Sequence, residues 1–492
     1  VGTDPRSQEL VLITRAGDDD YQREDIADVR FVPLIGKEGW ESEDDEWRGR
    51  PPRVVQHRPA VSLSAPALIA RHAERFERLE DADLEPLLAR IGTARVVLIG
   101  EATHGTSEFY RIRNRITQRL IESKGFRIVA IEADWPDAAR IDHYVRHNDA
   151  PAAEWTAFAR FPTWMWRNEE TRAFVDWLHH HNARREAPER IAFHGLDLYS
   201  LHTSVRAVIA YLEAVDPKLA RAARERYGCL TPWEADPAAY GRAALRGTYR
   251  DCERAVARML VDLLEQRQRL VTRDGERYFD AAQNARLVAH AEQYYRLMYY
   301  GSRASWNLRD THMLETLANA LEHRGSAAKA LVWAHNSHIG DASATEMGRR
   351  GEHNLGQLCR ARFGAECYAI GLGTNDGTVA AAAGWDEPME VMRVRPAHPQ
   401  SYERLFHLTE APGLMLPLRD AAADLVEMLE RPRLSRAIGV VYRPESELAS
   451  HYLEAVLPRQ YDEYIWIDRT RAVTPIAAGE LEGLPDTYPF GL

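Results

Sequence analysis

The chain has 492 residues, 45% of them hydrophobic, and a formal net charge of −11. That length and content can bury a large core, spread over about two to four domains, and exclude a disordered or fibrous chain. The acidic balance argues against a general nucleic-acid or anionic-membrane binder, whose surface would be basic.

Four cysteines, Cys229, Cys252, Cys359 and Cys367, include no CxxC pair, so neither a disulfide framework nor a cysteine zinc site is expected, and the usage fits a reducing cytoplasm. No apolar run reaches the roughly 18 residues of a membrane span, and VGTDPRSQEL lacks the basic-then-apolar order of an export signal. The expectation is a soluble cytoplasmic protein without membrane or nucleic-acid partners; its oligomeric state is open. A start at Val1 rather than Met raises the expectation of a piece excised from a longer protein.

Residues 10–40 hold two strand-like stretches, LVLIT and VRFVPLIG, around an acidic turn-rich stretch, and ESEDDEWRGRPPR reads as a charged linker. Residues 1–58 are therefore expected to form a hairpin-like segment and linker. The VRFVPLIG…GW phrase resembles the C-terminal end of protein-L-isoaspartate O-methyltransferases. The cofactor-binding part of such an enzyme is absent, so the resemblance implies no methyltransferase activity.

From residue 59 the pattern changes to strands alternating with helices. RVVLIG is one strand, and the stretch from Glu108 to Lys124 is an amphipathic helix through Phe109, Ile112, Ile116 and Leu120, with Gly125 placed to stop it. FRIVAIEADW and IAFHGLDLYS are the second and third strands, AKALVWAHNSHIGD the fourth, ECYAIGLGT the fifth, and RAIGVVYR and YDEYIWIDRT two more. Short apolar strands separated by helices imply an α/β fold, a mostly parallel sheet flanked by helices. Between the third and fourth strands, residues 201–325 are rich in Ala, Arg, Glu and Leu at helical spacing, which implies a large helical insertion. Residues 59–200 and 326–492 are then the two parts of the α/β core. GLGTNDGTVAAAAGWD reads as a strand and a flexible loop, with no GxGxxG before a helix and no phosphate-loop lysine to bind a nucleotide.

Ligands of an open parallel sheet bind outside the carboxyl ends of its strands. Four strand exits here carry acid-base groups: Glu101 and His104, then Glu132, then His194 and Asp197, then His335 and His338. Residues i and i+3 share a side once a chain leaves the extended conformation, so EATH and HNSH can each present two groups to one cavity, with Gly100 and Gly105 giving the first the freedom to turn. Any one of these residues taken alone is more simply a helix cap, a surface histidine or half of an ion pair. Four exits in order favour an active site.

GEATHGTSEFYRIRNRI, GFRIVAIEADWPDAARIDHYV, TWMWRNEETRAFVDWLHHHN, IAFHGLDLYS, ALVWAHNSHIGD and the closing VVYRPESELASHYLEAVLPRQYDEYIWIDRTRAVTP are similar to successive blocks of the erythromycin esterase family, over residues 60–480. The resemblance implies an α/β protein with a helical insertion and hydrolysis of a carboxylic ester; the best-known members open the macrocyclic lactone of erythromycin-type antibiotics and so confer resistance. It also implies site roles: His104 as the base that activates water, Glu101 and Glu132 as its acidic neighbours, Arg113 on the following helix, and His335 and His338 as the histidine pair. Arg309, in NLRDTHM, matches a functional arginine, and with Asp197 is expected to bind substrate.

Direct water attack needs a base titrating near neutrality, a group to orient it and donors for the oxyanion. His104 suits the first role, Glu101 or Glu132 the second, and Arg113, His335 or His338 the third, without a cofactor. The same Glu101, His104, Glu132, His335 and His338 are ligands that Zn²⁺ or Mn²⁺ accepts, so a metal-dependent hydrolase is an alternative. A non-catalytic small-molecule binder is another, disfavoured by the surplus of titrating groups. No GxSxG elbow surrounds Ser107 or Ser337, which ranks a covalent route third. YYRLMYYGSRASW and Trp233 in the insertion could wall an apolar pocket, although such stripes usually form core.

Overall fold

A strand buried on both faces reads as an unbroken apolar run, and Val96–Ile99, the centre of RVVLIG, has no exposed residue. The computed structural model describes residues 8–15, 21–29 and 64–476, apart from 148–156, 159, 235, 248–251 and 300. Its strands are β1 (Gln8–Arg15), β2 (Tyr21–Val29), β3 (Glu74–Phe76), β4 (Val96–Ile99), β5 (Ile128–Asp134), β6 (Ala192–Asp197), β7 (Ala330–Trp333), β8 (Cys367–Ala382), β9 (Met389–Val394), β10 (Gly413–Pro417), β11 (Arg433–Arg436), β12 (Tyr452–Ala455) and β13 (Glu463–Thr470).

The main sheet has the order β3-β10-β13-β8-β4-β7-β5-β6, with β9 paired to the far half of β8. Every ladder from β13 across to β6 is parallel, while β10 runs antiparallel to β13 and β3. Alternate residues face opposite layers. Val97, Ile99, Val129 and Trp333 pack on the Ser107–Lys124 and Glu169–Asn182 helices. Val96, Leu98, Ile128 and Val332 pack on the Ser302–Arg324 and Leu355–Phe363 helices. The Ser107–Lys124 helix buries Phe109, Ile112, Ile116 and Leu120, and Gly125 ends it in the left-handed conformation at φ 73°.

The insertion between β6 and β7 is helical, from Leu201–Val215 to Ser302–Arg324, with a core of its own through Leu212, Met259, Val288 and Tyr294. Its last helix behaves differently: Met313, Leu317 and Leu321 pack on the sheet, so this helix belongs to the α/β layers. Among the described residues no helix is long and apolar enough to cross a membrane.

Several expectations are corrected. The second strand of the N-terminal hairpin is Tyr21–Val29, the acidic stretch itself, because antiparallel pairing favours the nearest segment, whose loop closes at least cost. Most of VRFVPLIG and the linker lie outside the described residues. RAIGVVYR is no strand of the main sheet: Arg433–Arg436 pairs with β12 in a separate ribbon, and Ile438 and Val441 make only isolated bridges to Thr103 and Ala382. GLGTNDGTVAAAA runs on as one strand through Ala382, held by β13 and then β9. Strands β3, β9 and β12 are short or at edges and lack a clear apolar run, whereas β10 is a buried apolar run inside the sheet that is absent from the expected strands. Cys229 and Cys252 form a disulfide joining two helical stretches of the insertion, an adjacency that their separation of 23 residues does not reveal; Cys359 and Cys367 are free and buried.

Gly100 and Gly105 do not serve as flexible hinges, since neither has a positive φ. They permit close approach. A Cβ on Gly105 would fall on the Ala380 backbone, and one on Gly100 on the Asn336 side chain. The Gly105 carbonyl accepts from Ala380 N at 3.0 Å and Val473 N at 2.9 Å, so its backbone cannot step aside freely. Gly105→Ala is expected to destabilise the fold by about 1–3 kcal/mol, read as a lowered midpoint in chemical denaturation; an unchanged midpoint would contradict the packing.

Candidate active site

The chain leaving β4 is neither helix nor strand over Gly100–Gly105, and Glu101 and His104 come to lie side by side. His104 Nδ1 is 2.9 Å from Glu101 Oε1. Glu101 Oε2 is in turn 2.7 Å from Arg113 Nη2, in a fully buried ion pair. The Arg113 guanidinium lies against the rings of Tyr110 at 4.3 Å, Trp333 at 5.2 Å and Trp166 at 5.7 Å, an aromatic box that suits a desolvated cation. Arg113, Glu101 and His104 thus stand in line, and of the three only His104 lines the cavity. This corrects the oxyanion role expected of Arg113, which holds Glu101 from behind. With Nδ1–H given to the carboxylate, Nε2 of His104 is its basic nitrogen.

On the other side, Arg309 of the Ser302–Arg324 helix reaches across three strand ends. Its Nε and Nη2 donate to Asp197 of β6 at 3.0 and 2.6 Å, and Nη2 also donates to Glu132 of β5 at 2.8 Å. Its Nη1 is 3.0 Å from His338 Nε2, just past β7. Glu132 Oε2 accepts the His335 backbone N–H at 2.8 Å, and its Oε1 is 3.3 Å from His338 Nε2. His338 Nδ1 faces Asp310 Oδ1 at 2.9 Å. His335 caps the Asn336–Ile339 turn: its Nδ1 accepts the Ser337 N–H at 3.2 Å and pairs with Ser337 Oγ at 2.8 Å, which places the ring proton on Nε2. The His104 and His335 rings are 4.8 Å apart.

These groups bound a cavity of about 440 Å³, within the range of small-molecule sites. His104, Glu132, Asp197, Arg309, His335 and His338 form one side, and Phe161, Trp166, Tyr199, Trp306 and Trp385 the apolar walls. His194 does not join them. Three residues before Asp197 in an extended strand it points to the other face, where it stacks on Trp135 at 4.8 Å and burial holds it neutral, its pKa down to about 4. Tyr294 and Tyr295 are core residues of the insertion, and Trp233 packs at the edge of that core beside Tyr240; none of the three lines the cavity.

The environments separate the titrating groups. Burial, aided by the His104 ring, takes His335 down to about 3 and keeps it neutral. Burial also works against a charged His338, but Asp310 and Glu132 outweigh it and raise its pKa to about 9. Burial opposes ionisation of Glu132, yet His338, His104 and Arg309 together hold it well below the usual carboxylate range. Asp134, missed in the sequence although it follows Glu132 by two residues, lines the same cavity, and burial with the nearby Asp197 raises it to about 6. The ion pairs of His338 add stability in full below its unfolded value near 6.5 and lose it as the pH rises through about 9.

Among the described residues no three His, Cys, Asp or Glu groups are placed to hold a metal ion. The oxygens of Glu101 and Glu132 face protein cations and N–H groups instead.

A mostly parallel sheet whose carboxyl edge buries a carboxylate-backed histidine beside two more, under a helical insertion, defines a class of α/β protein with an acid-base cleft. The erythromycin esterase family model matches residues 121–470, and the chain belongs to that family. Erythromycin esterase type II of Escherichia coli is 31% identical over 116 residues, 24% of this chain and 26% of that protein. A solved structure of the erythromycin esterase EreC, a mutant in its open conformation, shares the fold with a TM-score of 0.62 at 16% identity, covering 81% of this chain and 98% of that one. The N-terminal segment is similar to protein-L-isoaspartate O-methyltransferase of Rhodopseudomonas palustris, 52% identical over 48 residues, 10% of this chain and 22% of that enzyme. The chain thus spans only 22% to 26% of the length of the first curated relatives it matches.

Removing Arg309 leaves Glu132 and Asp197 as neighbouring buried carboxylates without their shared cation. Arg309→Met is therefore expected to cost about 3–5 kcal/mol of stability at neutral pH, measured by chemical denaturation. A variant as stable as the parent would show that the network contributes nothing to the fold.

Proposed function

We propose that the protein hydrolyses a carboxylic ester or macrocyclic lactone by direct attack of a water that His104 activates. The observation that carries this reading is the buried line Arg113–Glu101–His104, which ends on a basic nitrogen at a cavity wall. In the proposed step His104 Nε2 takes a proton from water as the oxygen adds to the ester carbon, and Glu101 stabilises the imidazolium that forms. His335 has a neutral ring that carries its proton on Nε2 and lines the cavity, which suits it to donate to the oxyanion. His338 and Arg309 supply positive charge nearby. Collapse of the intermediate breaks the bond to the alcohol oxygen, which takes the proton back from His104. The likeness to erythromycin esterase type II supports a macrolide lactone among the substrates.

The pair Ser337 Oγ and His335 Nδ1, at 2.8 Å, gives a covalent route its best support. A base held at about 3 is a poor acceptor for a serine proton at neutral pH, which favours water as nucleophile.

Mass spectrometry of erythromycin-type macrolides and a panel of small lactones, incubated with parent and His104→Asn protein, tests the proposal. The substitution is expected to lower turnover by ~10²–10⁴-fold with the melting temperature retained. Unimpaired hydrolysis by His104→Asn would sink the mechanism. Tight binding without turnover by the parent would favour a binding protein.

A further inference from the structure

Asp310 lies outside the cavity, fully buried, one residue after Arg309 on the Ser302–Arg324 helix. Its two oxygens are 2.9 and 3.0 Å from His338 Nδ1, and Oδ1 also accepts the Leu355 backbone N–H at 2.7 Å. One turn earlier on the same helix, Trp306 stacks on the His338 ring at 4.6 Å with the planes 8° apart. The imidazole is therefore clamped on one face by an indole and at one nitrogen by a carboxylate. A neutral imidazole without such a partner can carry its proton on either nitrogen; a carboxylate at Nδ1 keeps that nitrogen protonated and leaves Nε2 toward Glu132 and Arg309.

We propose that Asp310 is a positioning residue that fixes the orientation of His338 by holding its Nδ1 protonated and keeps it a cation of the cavity at neutral pH, and that through His338 it holds Glu132 against the His335 backbone. This rests on the hydrolytic reading only for its kinetic consequence. The charged and titratable groups that face the ring are Asp310 and Arg309 from one helix, Glu132 from β5 and His335 from the same turn. The Leu355–Phe363 helix brings the Leu355 N–H and the Cys359 thiol to the Asp310 side. Arg309 Nη1 can only donate, so the cationic ring gives its Nε2 proton to Glu132 Oε1, 3.3 Å away, and with Asp310 uncharged Glu132 alone would stand against burial and Arg309. The His338 proton would then leave well before the pH of about 9 at which it leaves in the parent.

The test is a histidine-resolved ¹⁵N NMR titration of the parent and of Asp310→Asn, which keeps the shape of the side chain and an acceptor for Leu355. At about pH 8 the parent His338 is expected to be doubly protonated and the variant's neutral. On a lactone that the parent hydrolyses, the alkaline limb of kcat in Asp310→Asn should move down by about one pH unit or more, with KM little changed, and Asp310→Glu should restore part of the parent profile. A His338 in Asp310→Asn that keeps its proton at that pH overturns the proposal. If Asp310→Asn does not fold, the parent titration decides: a His338 already neutral there overturns it, and a doubly protonated one with a slowly exchanging Nδ1 proton supports it. The titration needs no turnover, so it stands apart from the fate of the hydrolytic reading.

Discussion

The buried guanidinium of Arg309 ties the carboxyl ends of three neighbouring strands, through Asp197 on β6, Glu132 on β5 and His338 beyond β7. Burying any one of those charges alone would cost several kcal/mol. Together they share donors and acceptors, and Arg309 also lies over the Tyr199 ring at 5.1 Å. The cleft can therefore be polar without being loose, because Arg309, Glu132 and Asp197 hold one another, while His104 and His338 are held by Glu101 and Asp310 outside the cavity. Fixed charges of this kind act on a reacting centre without reorganising when charge develops. The helix carrying Arg309 is the last element of the insertion in sequence, yet it packs on the sheet, which explains how an inserted segment can hold the floor of the site.

Across the cleft a second buried cation does a parallel task with different surroundings. Arg113 sits among three aromatic rings and holds Glu101, which holds His104. Three histidines within one cavity thereby acquire separate characters from their neighbours alone. At His335 burial outweighs Glu132 and the Ala102 backbone and lowers the pKa; at His338 Asp310 and Glu132 outweigh burial and Arg309 and raise it; His104 has a carboxylate at one nitrogen and the cavity at the other. Division of acid, base and fixed-charge roles by environment is how one set of side chains runs hydrolysis near neutral pH.

What could be read in the sequence follows from where packing leaves a periodic trace. Strands buried on both faces, such as RVVLIG and RIVAIE, and the helix through Phe109 and Leu120 show themselves, as do the polar residues where those runs end. Long-range pairing leaves no such trace. Asp310 looks like one more helical acid beside an arginine, and only the fold carries it to His338, 28 positions along the chain. His194 misled because its spacing from Asp197 puts the two on one side only if the strand has already ended, and here it has not. Arg113 was picked out but not its direction, which depends on Tyr110, Trp166 and Trp333 closing around it. Gly105 was picked out for freedom to turn when the Ala380 backbone is what requires it.

The account holds that water, not a side chain, attacks the carbonyl carbon. Rapid-quench mass spectrometry of the intact protein, with enzyme in excess over a hydrolysed lactone in ¹⁸O water, examines that step directly. The expected result is one ¹⁸O in the product carboxylate and a protein mass unchanged at every quench time. A transient gain equal to the acyl group, traced to Ser337 beside His335, would contradict it.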